Sequence, residues 1–523
     1  MSRNIIAAHA CLILLFAGGS LAQADDRNNI RRPLGVYAKA DIETAANAYI
    51  TAYGKANPGA PPLTLMSPQV HAALAQLYAG LLTDRAISGI TVGEHWDNVQ
   101  LSDPFCVFNH SCLVGPDGYD WSYLDEAFEQ ANLSHKSVNL IITPGVNSPS
   151  WLLSKISSCD GLFPAPGSAP PDCGKVTFSV FPQQQQRGDG NVFPLPWSGL
   201  YQLAWWDFLA HLNARYNNNP AFVSIAVAGP VGASDELILP TNSNQSFQQP
   251  GVHADDAWSA LINHSFPNIA SYQNTDQAFI DQWDLAIDAY ERIFTGITLV
   301  LAVDAGQDFP EFAMQNPTLT VHHDNTLWAE DCVNSAPGAP PDNQPRSCEA
   351  KTEILSYFLT VSGGNGRATW DGGMTATSPT LLGDIGVPGV KLLTSLSPSF
   401  SGGAEFDHPV SQGQNMQEEG CNMPGGNCLN LTAEEGAYNV LAVFFSGTPA
   451  YPYYGATPGL APIQYLDVDY TDVQYAQSNP CPTLPSTVPG TPSLQDLLNR
   501  ASRDIFALAG QPQPLPSTTC PEH

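Results

Sequence analysis

Basic residues are scarce in this sequence of 523 residues. It contains 19 lysines and arginines against 49 aspartates and glutamates, and its formal net charge is −30. The few lysines and arginines form no cluster. Nucleic acids and anionic membranes are held mainly by clustered positive charge, so both are excluded as expected partners. The acidic balance fits a soluble protein in an extracellular or periplasmic setting.

Several catalytic and metal-binding motifs are also missing. The sequence has no Gly-x-Ser-x-Gly motif, which disfavours a serine hydrolase. It has no Cys-x-x-Cys pair and no histidine at zinc-ligand spacing from a cysteine pair. His322, His323 and Asp324 could suggest a metal site, but adjacent histidines on a strand face opposite ways. We therefore expect no metal ion and no cofactor.

Long apolar runs are absent beyond the start of the chain. Residues 5–18 are almost wholly apolar, follow Arg3, and precede Ala22-Gln23-Ala24. This pattern predicts a secretory signal peptide over residues 1–24. The alternative, an uncleaved membrane anchor, would need a longer apolar run and a basic patch after it. We expect residues 25–523 to form one domain of a secreted or periplasmic monomer.

Ten of the 11 cysteines lie after the predicted signal peptide, which contains Cys11. An even number of cysteines in an exported chain predicts disulfides. Many connectivities are possible, and pairing between sequence neighbours is the simplest. The neighbouring pairs are Cys106/Cys112, Cys159/Cys173, Cys332/Cys348, Cys421/Cys428 and Cys481/Cys520.

Short apolar runs alternate with helix-like segments along the chain, which is typical of βα units. The predicted strands are 34–37, 87–92, 138–142, 222–227, 297–303, 367–370, 390–393 and 463–468. The predicted helices are 66–84, 120–135, 198–216, 276–294, 349–361, 432–446 and 493–508. Eight strands of this kind predict an α/β fold, a (β/α)8 TIM barrel with long disulfide-braced loops after its strands. A doubly wound open sheet is the alternative, but no glycine-rich phosphate loop follows the first strand.

Two stretches of the chain resemble the large clan of retaining (β/α)8 glycoside hydrolases. One runs from Asp120-Trp121 through Ala131 and 138–142 to Ser148-Pro149-Ser150-Trp151. The other runs from Tyr216 through Gly229-Pro230 to Ser234-Asp235-Glu236. The resemblance is one of pattern and element order and covers most of residues 33–509. It implies an enzyme that hydrolyses O-glycosidic bonds of an oligo- or polysaccharide.

The resemblance also implies a pair of catalytic carboxyl groups. In the clan the acid/base glutamate follows the fourth strand and the nucleophile follows the seventh, and the matching residues here are Glu236 and Glu405. Acetal cleavage needs one carboxyl to protonate the leaving oxygen and another to trap the oxocarbenium-like centre. Asp235 stands where the clan usually has an asparagine that holds the sugar 2-hydroxyl. Glu405 lies several residues beyond the predicted seventh strand.

Other residues that follow predicted strands are candidates for substrate binding. Glu94 could orient the substrate, and Trp96, Trp151 and Trp370 could stack on sugar rings. A packing role fits each tryptophan equally well.

Two other functions stay open at this stage. The chain could be a carbohydrate-binding barrel that has lost its catalytic pair, or a metal-dependent hydrolase built around His322 and Asp324. Glu236 could instead form a salt bridge at the rim, and Glu405 could be a solvated loop acid. The separation of the two carboxyl groups distinguishes these cases, because retaining enzymes need about 5–5.5 Å and inverting enzymes about 6.5–9.5 Å.

Overall fold

The chain divides into two compact units, residues 1–30 and 31–523. The computed structural model describes 30–163, 169–178, 191–232, 239–240, 254–273, 276–303, 354, 357–358, 361, 368–372, 398–399, 465–480, 493–508 and 510–512. Within these residues, no helix has the length and apolar character needed to cross a membrane.

Strands and helices alternate through the second unit. The strands are β1 Gly35–Asp41, β2 Ile87–His95, β3 Ser137–Thr143, β4 Lys175–Phe178, β5 Asn191–Pro194, β6 Phe222–Ala226, β7 Thr298–Val303, β8 Ala368–Gly372, β9 Pro398–Ser399 and β10 Tyr465–Asp469. The longer helices are α1 Ile42–Ala56, α2 Pro68–Thr83, α3 Ser122–Leu133, α4 Gly199–Tyr216, α5 Ala254–Ser265, α6 Gln277–Ile293, α7 Tyr470–Ser478 and α8 Leu494–Leu508.

Eight strands form one parallel sheet, in the order β10-β1-β2-β3-β6-β7-β8-β9. Apart from β10, this order follows the chain, and the last strand pairs with the first. A doubly wound sheet instead reverses its strand order at a switch point. The observed order is that of a singly wound βα sheet. The pairings among the described residues do not join its two edge strands, β9 and β10.

The sheet is strongly curved where β10, β1 and β2 lie side by side. The hydroxyl of Thr91 on β2 donates a 2.7 Å hydrogen bond to Asp467 on β10, although β1 lies between these strands. Adjacent strands are about 4.8 Å apart, so strands two places apart cannot be joined by such short side chains in a flat sheet. Thr91 and Asp467 therefore lie on a concave face.

Helices cover the opposite face of the sheet. In α3 the buried residues recur at helical spacing and form one face: Tyr123, Leu124, Ala127, Phe128 and Ala131. They belong to one apolar core with alternate residues of the strands, among them Ile90 and Val92 of β2. Burial of this apolar surface is the main driving force for packing helices on the sheet.

Most predicted strands are confirmed, with each end within four residues of its predicted position, and two differences stand out. Residues 390–393 lie outside the described residues, and the seventh place in the sheet is taken by β9 at Pro398–Ser399. The stretch between the predicted strand 138–142 and the predicted helix 198–216, where no strand was predicted, contains the antiparallel pair β4 and β5. Strands of four residues carry too little alternation to be recognised in a stretch rich in proline and glutamine.

Candidate functional site

Acidic residues lie at or next to the carboxyl ends of three neighbouring strands: Asp41 ends β1, Asp469 ends β10, and Glu94 stands just before the last residue of β2. Two of them cap the helices that follow. Asp41 accepts a 2.7 Å hydrogen bond from the backbone N–H of Thr44 at the start of α1. Asp469 accepts a 2.7 Å hydrogen bond from the N–H of Thr471 at the start of α7. A carboxylate at this position satisfies free N–H groups and interacts favourably with the helix dipole.

Glu94, the third of these acids, is only 2% exposed. It accepts hydrogen bonds from the backbone N–H of His95, at 2.7 Å, and from Asn98 Nδ2, at 2.9 Å. Burial raises the pKa of Glu94 to about 7, against the lowering effect of the nearby His95 and Asn98. At neutral pH this carboxyl group therefore exists in both protonation states, which is a property of acid/base groups.

Glu94 lies on the helix-facing side of β2. Alternate residues of a strand point to the same face, so Glu94 shares a side with the core residues Ile90 and Val92. Burial, with the Glu94 charge as the second cause, raises the pKa values of Tyr78 on α2 and Tyr123 on α3. The environment of Glu94 is therefore formed by two covering helices, and its predicted role in substrate binding stays a prediction.

His95 follows Glu94 and is held by an acid from the preceding βα unit. Its Nδ1 lies 2.9 Å from Glu43 Oε2, and both side chains are about one-fifth exposed. A carboxylate in this position fixes the orientation of an imidazole ring. No pattern in the sequence pointed to Glu43, because it stands in the first turn of α1 and far from His95 in the chain.

A row of buried polar side chains crosses the concave face of the sheet. We call Asp467, Thr91, Asn139 and Ser224 the polar row. Thr91 donates to Asp467 at 2.7 Å, Asn139 Nδ2 donates to Thr91 at 3.2 Å, and Ser224 donates to Asn139 Oδ1 at 2.6 Å. Each of the four side chains is at most 4% exposed. The polar row thus links strands β10, β2, β3 and β6 below their carboxyl ends.

None of the four residues of the polar row was among the predicted site residues. A signal was present, because Thr91, Asn139 and Ser224 each stand between two apolar residues of a strand. In a strand buried on both sides, a polar residue needs a hydrogen-bond partner nearby. Such residues on successive strands of a parallel sheet can meet only on a common face.

Two of the predicted tryptophans meet at Gln100. Trp96 is fully buried among Tyr201, Trp205 and Phe208 of α4, and its Nε1 donates to Gln100 Oε1 at 2.7 Å. Trp151 is half-buried and donates from Nε1 to the Gln100 carbonyl at 3.3 Å. The structure thus gives Trp96 a packing environment, whereas Trp151 keeps part of its surface open to solvent.

The remaining predicted site residues cannot be placed in the same way. Asp235, Glu236 and Glu405 lie outside the described residues. The backbone of Trp370 lies in β8, paired with Leu301 of β7 and Pro398 of β9. His322, His323 and Asp324 also lie outside the described residues. In the part of the chain that is described, no three histidine, cysteine or acidic side chains are grouped so that they could hold a metal ion.

Two of the five predicted disulfides are present. Cys106–Cys112 closes part of the loop after β2, and Cys159–Cys173 lies in the segment after β3. Both segments follow strands at the carboxyl edge of the sheet. The other six cysteines of the scheme lie outside the described residues.

No family model matches the chain, and no curated protein matches it. Some solved structures are similar in fold. The catalytic domain of beta-amylase from Paenibacillus polymyxa is 14% identical, with 68% of this chain and 89% of that chain covered and a TM-score of 0.29. A thermostable mutant of a xylanase from Cellvibrio japonicus is 10% identical, with 92% and 98% covered and a TM-score of 0.35.

A beta-galactosidase from Bacillus circulans sp. alkalophilus is 11% identical, with 52% of this chain and 37% of that chain covered and a TM-score of 0.26. This chain therefore spans little more than a third of that beta-galactosidase. The TM-scores are low in all three cases, so the strand order of this chain, and not these superpositions, defines its fold.

Proposed function

We propose that this chain is a secreted glycoside hydrolase that cleaves O-glycosidic bonds with two carboxyl groups and retention of configuration. The observation that carries the proposal is the singly wound parallel sheet with its last strand beside its first. Such a sheet gathers the loops after all its strands at one edge, where (β/α)8 enzymes have their active sites. Residues from distant parts of the sequence can therefore face one another across this edge.

Glu236 and Glu405 follow the appropriate strands of the sheet. Among the strands of the parallel sheet in chain order, β6 is the fourth and β9 is the seventh. Glu236 comes ten residues after the end of β6 at Ala226, and Glu405 comes six residues after the end of β9 at Ser399. The shorter spacing after β9 supports Glu405 better than the predicted strand at 390–393 did.

The proposed reaction has two steps. Glu236 protonates the glycosidic oxygen while Glu405 attacks the anomeric carbon, which releases the first sugar and leaves a glycosyl ester on Glu405. Glu236, now ionised, removes a proton from water, which attacks the ester and restores both carboxyl groups. Asp235 would hold the 2-hydroxyl, while the exposed part of Trp151, together with Trp370, would stack on sugar rings. The polar row would fix the strands beneath this site.

The test begins with a screen of the purified protein on chromogenic glycosides and neutral polysaccharides. On a substrate that is cleaved, Glu236→Gln should lower turnover about 10²- to 10⁴-fold, the usual contribution of general acid/base catalysis. Glu405→Ala should be inactive and partly rescued by azide, with a product of inverted configuration. The control Glu129→Gln, at an exposed position of α3, should retain full activity.

Two outcomes would contradict the proposal. Wild-type turnover in Glu236→Gln would remove this residue from the site. Binding of sugars without any hydrolysis, unchanged in Glu236→Gln and Glu405→Ala, would instead indicate a carbohydrate-binding barrel without catalysis.

A further inference from the structure

The loop after β2 exposes an unusual number of large apolar side chains. Phe105, Val107, Phe108 and Leu113, here called the loop patch, are 66%, 44%, 81% and 78% exposed. They stand within nine residues of one another, and soluble proteins rarely leave such a cluster open to water without a binding function. The other exposed large apolar side chains of the described structure are single or, for Leu200 and Leu203 on α4, a pair.

The loop patch is held in a defined shape. The Cys106–Cys112 disulfide closes the loop on itself, and Cys106 is buried. The backbone N–H of Phe105 donates to Asp103 at 3.0 Å, and the N–H of Leu113 donates to Ser102 Oγ at 2.8 Å. A surface held in shape before binding loses little conformational entropy when a ligand binds.

Aromatic rings continue from the loop patch towards Trp151. The ring centroids of Phe105 and Phe108 are 6.3 Å apart. Lys155 Nζ lies 5.8 Å from the centroid of Phe105 and 5.3 Å from that of Trp151, and it forms an ion pair with Asp103. Phe105 thus lies beside Phe108, and the Lys155 ammonium group, paired with Asp103, is close to the rings of both Phe105 and Trp151.

We propose that Phe105 and Phe108 form an outer subsite for a neutral polysaccharide chain, next to Trp151 and outside the catalytic centre. The inference rests on the proposed function, because it places the subsite on a loop that leaves the same edge of the sheet. Pyranose rings have apolar C–H faces that stack on aromatic rings and hydroxyl edges that hydrogen-bond to charged groups. The loop patch with Lys155 and Asp103 offers both kinds of contact.

Charge decides which polysaccharides fit. The chain has a net charge of −30, so its long-range field repels anionic polymers and anionic membranes. Lys155, the cation beside the rings, is engaged by Asp103. A neutral polysaccharide binds without electrostatic repulsion from this field. A polysaccharide that extends beyond the catalytic centre reaches the loop patch.

The test measures binding of full-length protein to amylose, xylan, β-glucan and galactomannan by affinity gel electrophoresis. Glu236→Gln is the background, so that the polymers stay intact. The double variant Phe105→Ala/Phe108→Ala should weaken binding to the preferred polymer about tenfold, as expected for the loss of two stacking rings. The double variant Phe105→Trp/Phe108→Trp, which keeps a stacking ring at both positions, should bind the preferred polymer as tightly as the background protein does. The control Leu133→Ala removes a 68% exposed side chain at the end of α3, just before β3 begins. This position is at the amino end of the strands, away from the loop patch, so the variant should bind like the background protein.

Three results would overturn the inference. The double variant could bind every polymer as tightly as Leu133→Ala does, or no polymer could be retained at all. Light scattering after gel filtration could also show a dimer that only the double variant loses, in which case the loop patch contacts a second copy of the chain. Failure of the proposed function looks different: the polymers bind through Phe105 and Phe108, yet neither polymers nor aryl glycosides are hydrolysed.

Discussion

At the scale of single residues, Thr91 holds a central position in the polar row. Its hydroxyl donates to Asp467 and accepts from Asn139, so one oxygen connects side chains from three strands. Neither partner is exposed to water. Loss of this hydroxyl leaves a buried amide and a buried carboxyl group each with one hydrogen bond fewer.

We therefore expect Thr91→Val to lower the free energy of unfolding by about 2–4 kcal/mol, since a buried polar group left unsatisfied costs about 1–3 kcal/mol. Urea unfolding measures this difference. The control is Thr83→Val near the end of α2, where the hydroxyl is exposed and bonded only to the carbonyl of Gly80. Equal losses in the two variants would show that the polar row adds nothing to stability.

A second prediction at the residue scale concerns Glu94 and the pH dependence of the free energy of unfolding. Burial raises its pKa from 4.5 to about 7, so the folded protein retains a proton that the unfolded chain has lost. The contribution of Glu94 to stability is complete below pH 4.5 and is lost as the pH rises through about 7. The glutamine of Glu94→Gln keeps an oxygen that can accept from His95 and Asn98 and never ionises.

The stability of Glu94→Gln relative to the wild type should therefore increase between pH 4.5 and pH 7.5, by roughly 3 kcal/mol for a shift of this size. Urea unfolding at several pH values measures the difference. Glu126→Gln, which removes a carboxyl group from the neighbouring α3, controls for the change in charge. A difference that does not vary with pH would contradict a raised pKa at Glu94.

At the scale of elements, the two disulfides brace loops of different length. Cys159–Cys173 spans 14 residues and ties Cys159, near the short helix Asp160–Leu162, to the residue two places before β4, whereas Cys106–Cys112 spans six. In the chain-entropy description, cross-linking a longer loop restricts the unfolded chain more. The longer loop should therefore contribute more stability.

Replacement of both cysteines by serine should lower the free energy of unfolding by about 3 kcal/mol for the Cys159–Cys173 pair and by about 2 kcal/mol for the Cys106–Cys112 pair. Thermal unfolding compares the two variants, and peptide mapping under non-reducing conditions checks that the other bridges are intact. The reverse order of the two losses would mean that loop length does not set their contributions.

The elements also show which patterns in the sequence are reliable. The burial pattern of α3 follows from the spacing of its apolar residues, because a helix brings every third or fourth residue to one face. The position of β9 at Pro398–Ser399 could not be predicted in this way. A strand of two residues is defined by its pairing with β8 and not by any periodicity of its own.

At the scale of the whole molecule, the strand order brings the carboxyl ends of the eight parallel strands to one edge of the sheet. Pairing of β10 with β1 joins residues more than 400 positions apart, and it brings the helix-capping acids Asp41 and Asp469 to one side of the sheet. Curvature then allows Asp467 and Thr91 to bond across β1. In the sequence, Glu236 comes after the fourth strand of this sheet and Glu405 after the seventh.

The sequence by itself determined the alternation of strands and helices, the apolar faces of those helices and the local pairing of two disulfides. These features depend on residues close together in the chain, so periodicity and spacing are enough to reveal them. Only the tertiary structure decided that Thr91, Asn139, Ser224 and Asp467 form one polar row, that Glu94 turns towards the covering helices, and that Trp96 is buried. Those outcomes depend on register, curvature and the packing of α4 against the sheet, which bring together residues that no local pattern connects.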